Sequence, residues 1–487
     1  MSYLDMTIEQ MHQALKEGKI KPSDLVKEAL DRASAYQNDL NAFVYLRKQA
    51  IEEAQKLDGL EVSNPLFGIP CAIKDNYSTK GELSTGCSNT LKDYYPVYDA
   101  TVIEKLKAVN CLSIGKTNLD ELAMGGTGLN SNKGIVKNPW SKDRSRMAGG
   151  SSSGSAVAVA SGIVPFALGS DTGDSVRKPA AFCGCVGFKP TWGRISRYGL
   201  FPFAPSLDHV AYFTRSVKDT AYALEVLSGS DKKDMTCSYL PVEEYSKNLN
   251  GDLKGKRLAV IKGVNDSLSD NGVKKKFQEI LSKLKENGVE IIEADIDIAL
   301  LKAIYPTYMV ISCAEATSND ANLDGIKFGP RITGDNFTDT IIKTRTEGFS
   351  ELVKRRFVLG SYCLSKENQK ELLLRAQKIR RLIADAVNNI LKDVDAIILP
   401  ASGNIAPKLE GAKDEKLSAE YLIGENHLAI GNFAGLPSLT LPSGFVDSMP
   451  LGVNIMGKAF AEQEVLNISY GLESLLDYKG QIAKVGE

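Results

Sequence analysis

The chain has 487 residues, 43% of them hydrophobic and 24% charged, with a formal net charge of −1. That balance describes an ordinary soluble globular protein with ample material for a core, and its overall field is too weak to gather nucleic acid. The opening MSYLDMTIEQ lacks a signal peptide's basic and apolar regions, and the longest apolar run, AVAVASGIVPFALG at 156–169, is broken by Ser161, Gly162 and Pro165, so the expected location is the cytoplasm.

In chain order, the first 60 residues read as helices. Thr7 and Gln10 make a capping box before Ile8, Met11 and Leu15, which recur at helical spacing as far as Gly18. Pro22-Ser23 opens a second helix with Leu25, Val26, Leu30 and Ala33 along one face. From there FGIPCAIKD predicts a buried strand ending at a lysine, ATVIEKLKAVN a helix and CLSIGKTNL a strand. AVAVASG and VPFALGS predict a helix and a strand; KRLAVIKG, VKKKFQEILSKLKENG and VEIIEADI predict a strand–helix–strand unit. DAIILPAS, PSLTLPSG and LGVNIMGKAF are further strands, and EQEVLNISYGLESLL is a closing helix. This alternation predicts an α/β core over 61–487 with a helical segment, 1–60, packed on it. The polar stretch 228–255 is the candidate boundary between subregions of that core.

Eight cysteines, several inside apolar runs, predict buried free thiols in a reducing compartment. The Cys183–Cys185 pair has neither a second pair nor enough histidines to complete a zinc site, so no metal is expected.

The densest punctuation runs from 146 to 199, where a Gly/Ser-rich loop leads into buried elements. It lacks the G-K-[ST] ending of a phosphate-binding loop and the dinucleotide glycine pattern. A serine hydrolase of the Ser-His-acid type needs an imidazole, but the chain has only His12 on an N-terminal helix, His209 read as a loop residue, and His427, and it has no G-x-S-x-G elbow. The alternative base is a lysine whose pKa burial has lowered. Lys74, ending GIPCAIK, is the candidate, though the same pattern also describes a strand-end lysine that snorkels to water.

The lysine after G-I-P-x-x-I, the GGSS loop and a second serine 24 residues later in DTG-x-S-[IV]-R-x-P together resemble the amidase signature family, and the likeness continues through FCGCVGFKPTWGRISRYGLFPFAPSLDHV. The resemblance implies an amidase-signature fold, a large mixed central sheet covered by helices on both faces. It also implies carboxamide hydrolysis by a Ser–Ser–Lys triad, with Ser175 as nucleophile, Ser151 as the bridging serine after a cis peptide bond, and Lys74 as base. Backbone N–H groups of Thr172, Gly173, Asp174 and Ser175 would form the oxyanion hole.

Within the family, KTNLDELAMG, KNPW, EATSNDANLDGIKFG and KRRFVLGSY resemble the glutaminase subunits of tRNA-dependent amidotransferases. That likeness implies B and C partner subunits in a heterotrimer. Glutamine is then the substrate and ammonia passes to a partner that carries ATP and Mg and handles the misacylated tRNA; no cofactor is expected in this chain. It also makes Tyr308, Arg356 and Glu425 candidates for holding glutamine, since an arginine and an acid match its α-carboxylate and α-ammonium. A stand-alone amidase acting on a small carboxamide, and a weakly active scaffold for a partner, are the competing readings; co-purification and a Ser175→Ala comparison separate them.

Four positions depart from the family pattern: Glu425 for an aspartate, Leu129 for an acid, Ser153 for a glycine, and Asp174 for the glycine before the nucleophile. An Asp174 carboxylate about 5 Å from an oxyanion, at an effective dielectric of about 20, costs roughly 3 kcal/mol, or two decades in rate. An active enzyme therefore requires that carboxylate to turn away, towards Arg177 or Lys178.

Overall fold

The chain's short apolar runs pair into one sheet of eleven strands among the described residues, which are 2–410 and 418–486 in this computed structural model. The strands are β1 (Phe43–Leu46), β2 (Pro70–Lys74), β3 (Leu112–Thr117), β4 (Phe166–Asp171), β5 (Val186–Lys189), β6 (His209–Thr214), β7 (Arg257–Ile261), β8 (Glu290–Ala294), β9 (Ala396–Pro400), β10 (Ser438–Val446) and β11 (Met449–Met456). Their order is β1-β3-β2-β4-β6-β5-β10-β11-β9-β7-β8. The blocks β3-β2-β4 and β9-β7-β8 are parallel, and the antiparallel run from β4 through β6, β5, β10 and β11 to β9 joins them. The sheet is mixed. β2, β4, β5, β6 and β9 are buried at every position, so both faces are covered there.

Eight of these strands coincide with predicted apolar runs, β4, β10 and β11 reaching one or two residues beyond them; β1, β5 and β6 match none. β1 falls inside the segment read as purely helical and pairs antiparallel with β3 at the sheet edge. His209, read as a loop residue, opens β6, where the ladder sets it opposite Asp171. The sequence pattern predicts no element between 297 and 394, yet the helices Ile304–Asn319, Glu351–Leu364 and Arg375–Lys392 fill much of it. These helices pack with β7 and β9 into a second apolar cluster through residues such as Ile311, Val353, Ile383, Ile261 and Leu399.

The N-terminal helices follow their sequence signals. Thr7 and Gln10 cap Ile8–Lys16 reciprocally, and the helix Pro22–Leu40 ends at Asn41 in the left-handed region, φ 54°. Leu25, Val26, Leu30 and Ala33 enter the same cluster as Ile73 and Leu168, where Leu25→Ala would cost about 2–5 kcal/mol. The stretch 228–255 contains no regular element, but Tyr245 and Leu253 are buried and Arg194 donates to the Tyr245 hydroxyl. All eight cysteines are buried and unpaired, and among the described residues no helix is long and apolar enough to cross a membrane.

Candidate active site

The strand β2 ends at Lys74, whose side chain is fully buried. Its Nζ lies 2.8 Å from both Ser151 Oγ and Ser170 Oγ. Burial pulls its pKa down to about 7, even though the charges of Asp120 and Asp171 oppose the shift. Near neutral pH a large fraction of Lys74 is therefore an uncharged amine able to accept a proton. It is not the snorkelling lysine that its strand-end position also allowed.

Ser151 follows a cis Gly150–Ser151 peptide. Asp120 fixes its backbone: the Asp120 N–H donates to Ser151 O at 3.2 Å. The Asp120 carboxylate in turn accepts N–H bonds from Thr127, Gly128 and Asn130 at 2.8–3.2 Å. A side chain at Gly150 would collide with that carboxylate, its Cβ only 2.1 Å from Oδ2, so the approach requires glycine. One residue on, the Ser152 N–H donates to Ser175 O at 3.3 Å, setting the loop that bears Ser151 against the turn that bears Ser175.

That turn, 172–175, lies between β4 and the short helix Arg177–Cys183 and is held from beneath by a buried ion pair. Arg177 meets Asp171 through Nε at 3.1 Å and Nη2 at 2.9 Å, and both side chains are fully buried. Burial alone would raise the Asp171 pKa, but Arg177 reverses that and holds the carboxyl well below the usual carboxylate range. Arg177 Nη2 also donates to Gly173 O at 2.7 Å, and Asn432 Nδ2 to Asp171 O at 3.1 Å, while Asp174 O accepts from the Lys178 N–H at 3.0 Å. In a trans peptide C=O and N–H point in opposite directions, so tying down these carbonyls turns the N–H groups of Thr172, Asp174 and Ser175 the other way. The four N–H groups of 172–175 donate no hydrogen bond among the described residues. Successive unpaired N–H groups in a turn are the kind of donor set that can take up an anion.

The remaining candidates ring this turn. Thr172 Oγ1 donates to Asp208 at 2.7 Å. Asp208 also lines a cavity of about 290 Å³ that includes Arg197, Tyr198 and Pro205. The Tyr308 ring lies over Gly173, where a Cβ would come within 3.0 Å of it. Arg356 sits near Tyr308 and Cys313, with its guanidinium 5.5 Å from the centre of the Phe203 ring. Its Nε and Nη1 are buried without a hydrogen-bond partner among the described residues. Glu425 accepts from Asn404 Nδ2 at 2.8 Å and lies 3.8 Å from Lys178 Nζ.

Asp174 turns to Lys178, with Oδ2 2.7 Å from Nζ. It has none of the positive backbone angle that would have favoured glycine there. The sequence reading missed Ser170 as a second hydroxyl on Lys74, Asn76 behind Ser170 at 3.0 Å, and Asn432 beneath the turn. The only sequence signal for Ser170 is its place five residues before Ser175 on a strand. Among the described residues no hydrogen bond links His209 to a serine; its Nδ1 faces Leu207 O, and burial depresses its pKa.

The sequence profile of the Amidase family matches residues 24–466. The A subunit of the glutamyl-tRNA(Gln) amidotransferase of Geobacillus kaustophilus is 41% identical over 487 residues, covering 99% of each chain. The protein of the same name from a Sulfurihydrogenibium species is 41% identical over 98% of this chain and 99% of its own. Among solved structures, the A subunit of the glutamyl-tRNA(Gln) amidotransferase from Thermotoga maritima superposes with a TM-score of 0.82 at 34% identity, covering 100% of this chain and 98% of the other. A peptide amidase from Stenotrophomonas maltophilia gives a TM-score of 0.85 at 25% identity, over 100% and 99% of the two chains.

Proposed function

The chain belongs to the amidase family, and on that premise we propose that it is the glutaminase subunit of a cytoplasmic, tRNA-dependent amidotransferase. The observation that carries the reading is the buried Lys74, its pKa near neutrality and its amine on Ser151, beside a turn whose N–H groups are free. Ser175 Oγ attacks the carboxamide carbon of glutamine, its proton passes to Ser151, and the Ser151 proton passes to Lys74. The N–H groups of 172–175 take the oxyanion. On collapse the C–N bond breaks and the proton returns from Lys74 through Ser151 to the leaving nitrogen, releasing ammonia. Water then cleaves the acyl-serine by the same relay, giving glutamate.

Arg356, with two nitrogens unpaired among the described residues, receives the α-carboxylate; Glu425 receives the α-ammonium, and Tyr308 borders the site over Gly173. Ammonia passes to a B subunit that binds ATP and Mg and amidates Glu-tRNA(Gln), Asp-tRNA(Asn) or both, with a C subunit completing the heterotrimer. The named relatives support this assignment.

The test is ammonia release from glutamine, asparagine and a simple aliphatic amide by the protein purified with its retained partners, beside Ser175→Ala. Release from glutamine that disappears in the variant is the expected result. Release only from the simple amide would mean a stand-alone amidase, and no release at all a scaffold.

A further inference from the structure

Of the four departures from the family pattern, Asp174 and Glu425 share one partner, Lys178. The Asp174 carboxylate is one residue before the nucleophile, yet it is bonded four residues on, to Lys178 Nζ at 2.7 Å. Arg177, the other cation within reach, is unavailable. Its Nε and Nη2 are on Asp171, its Nη1 is on Leu428 O, and Nη2 is shared with Gly173 O and Asn432 Oδ1. Lys178 itself is almost fully buried and anchored, donating to the main-chain O of Glu425 and lying 3.8 Å from that residue's carboxylate. Burial works against its charge, but Asp174 and Glu425 more than offset this and lift its pKa above the ordinary lysine value. One ammonium thus sits between two carboxylates at the edge of the turn.

We propose that Lys178 is a positioning residue for acyl transfer: its ammonium fixes the Asp174 carboxylate on the helix side of the turn, away from the unpaired N–H groups of 172–175. This rests on the function proposed above and adds a residue to it. Without Lys178 the Asp174 carboxylate loses its ion-pair partner while the N–H groups of its own turn stay unpaired, and on this reading it becomes an internal competitor for the oxyanion site. The lysine and the aspartate are then a matched pair, each tolerable because of the other.

The prediction is a coupling. Ammonia release from glutamine is measured for the protein with its retained partners as kcat and KM separately, with thermal midpoints recorded alongside. Lys178→Gln, close in shape and uncharged, is expected to lower kcat roughly ten- to hundredfold. KM should change less than threefold, and Lys178→Arg should retain most of kcat. In an Asp174→Gly background, removing Lys178 is expected to cost less than threefold in kcat. An undiminished kcat for Lys178→Gln would overturn the proposal, as would an equal loss with and without Asp174, or a loss confined to KM, which would place Lys178 on the substrate side with Glu425. A hundredfold rise in kcat for Asp174→Gly alone would also overturn it, by showing that the carboxylate already burdens the oxyanion. If Ser175→Ala retains wild-type release, the proposed function has failed instead, and the two failures are distinct.

Discussion

Beneath the turn 172–175, Asp171, Arg177 and Asn432 commit their polar groups to one another and to main-chain carbonyls. On the helices that carry Tyr308 and Arg356, by contrast, the Arg356 guanidinium keeps Nε and Nη1 buried and, among the described residues, unpaired. The first region is complete without a ligand, and the second is not. Catalysis by preorganised dipoles needs donors fixed before the substrate arrives, and a binding group needs capacity left over for it. The two regions divide those requirements between them.

Removing the charge that completes the first region should have the largest effect. Asp171→Asn leaves Arg177 buried without its counter-ion. It is expected to lower stability by about 3–5 kcal/mol and to abolish ammonia release, read as a fall in the urea midpoint together with lost turnover. A smaller and differently shaped effect is expected in the second region. Arg356→Met removes a guanidinium whose Nε and Nη1 have no hydrogen-bond partner among the described residues, so stability should stay within about 1 kcal/mol of wild type or rise. KM for glutamine should increase about 10–100-fold with a modest change in kcat. A large loss of stability in Arg356→Met would erase the distinction between the regions.

How much of this the sequence disclosed follows the same division. β2, β3 and β4 were legible because each is a short apolar run bounded by turn residues, and they carry or flank Lys74, Ser151 and Ser175. β1 and β5 were not, being four residues each; β5 is hidden within GCVGFKP, where glycine and proline read as punctuation. β6 begins directly after the Asp208 turn, whose polar residues drew the reading of His209 towards a loop. The lysine was ambiguous on pattern alone: a strand-end lysine and a buried one have the same spacing, and only the motif resemblance and the fold separate them. Arg177 and Asn432 meet across 255 positions, a convergence that no local periodicity encodes. Asp174 posed its electrostatic problem in the sequence, but that Lys178 and not Arg177 answers it depends on which cation the buried network has already claimed.

In the proposed mechanism a buried, near-neutral Lys74 is the base that drives Ser175 through Ser151, and everything else depends on it. The most direct test is the pH dependence of kcat/KM for glutamine. A lysine with a pKa of about 7 must lose its proton to act, so activity should be present above that value and fall away on acidification, with a midpoint near pH 7. A profile flat from about pH 5.5 to 8.5, or a limb that rises only near the ordinary lysine value of about 10.4, would contradict the account.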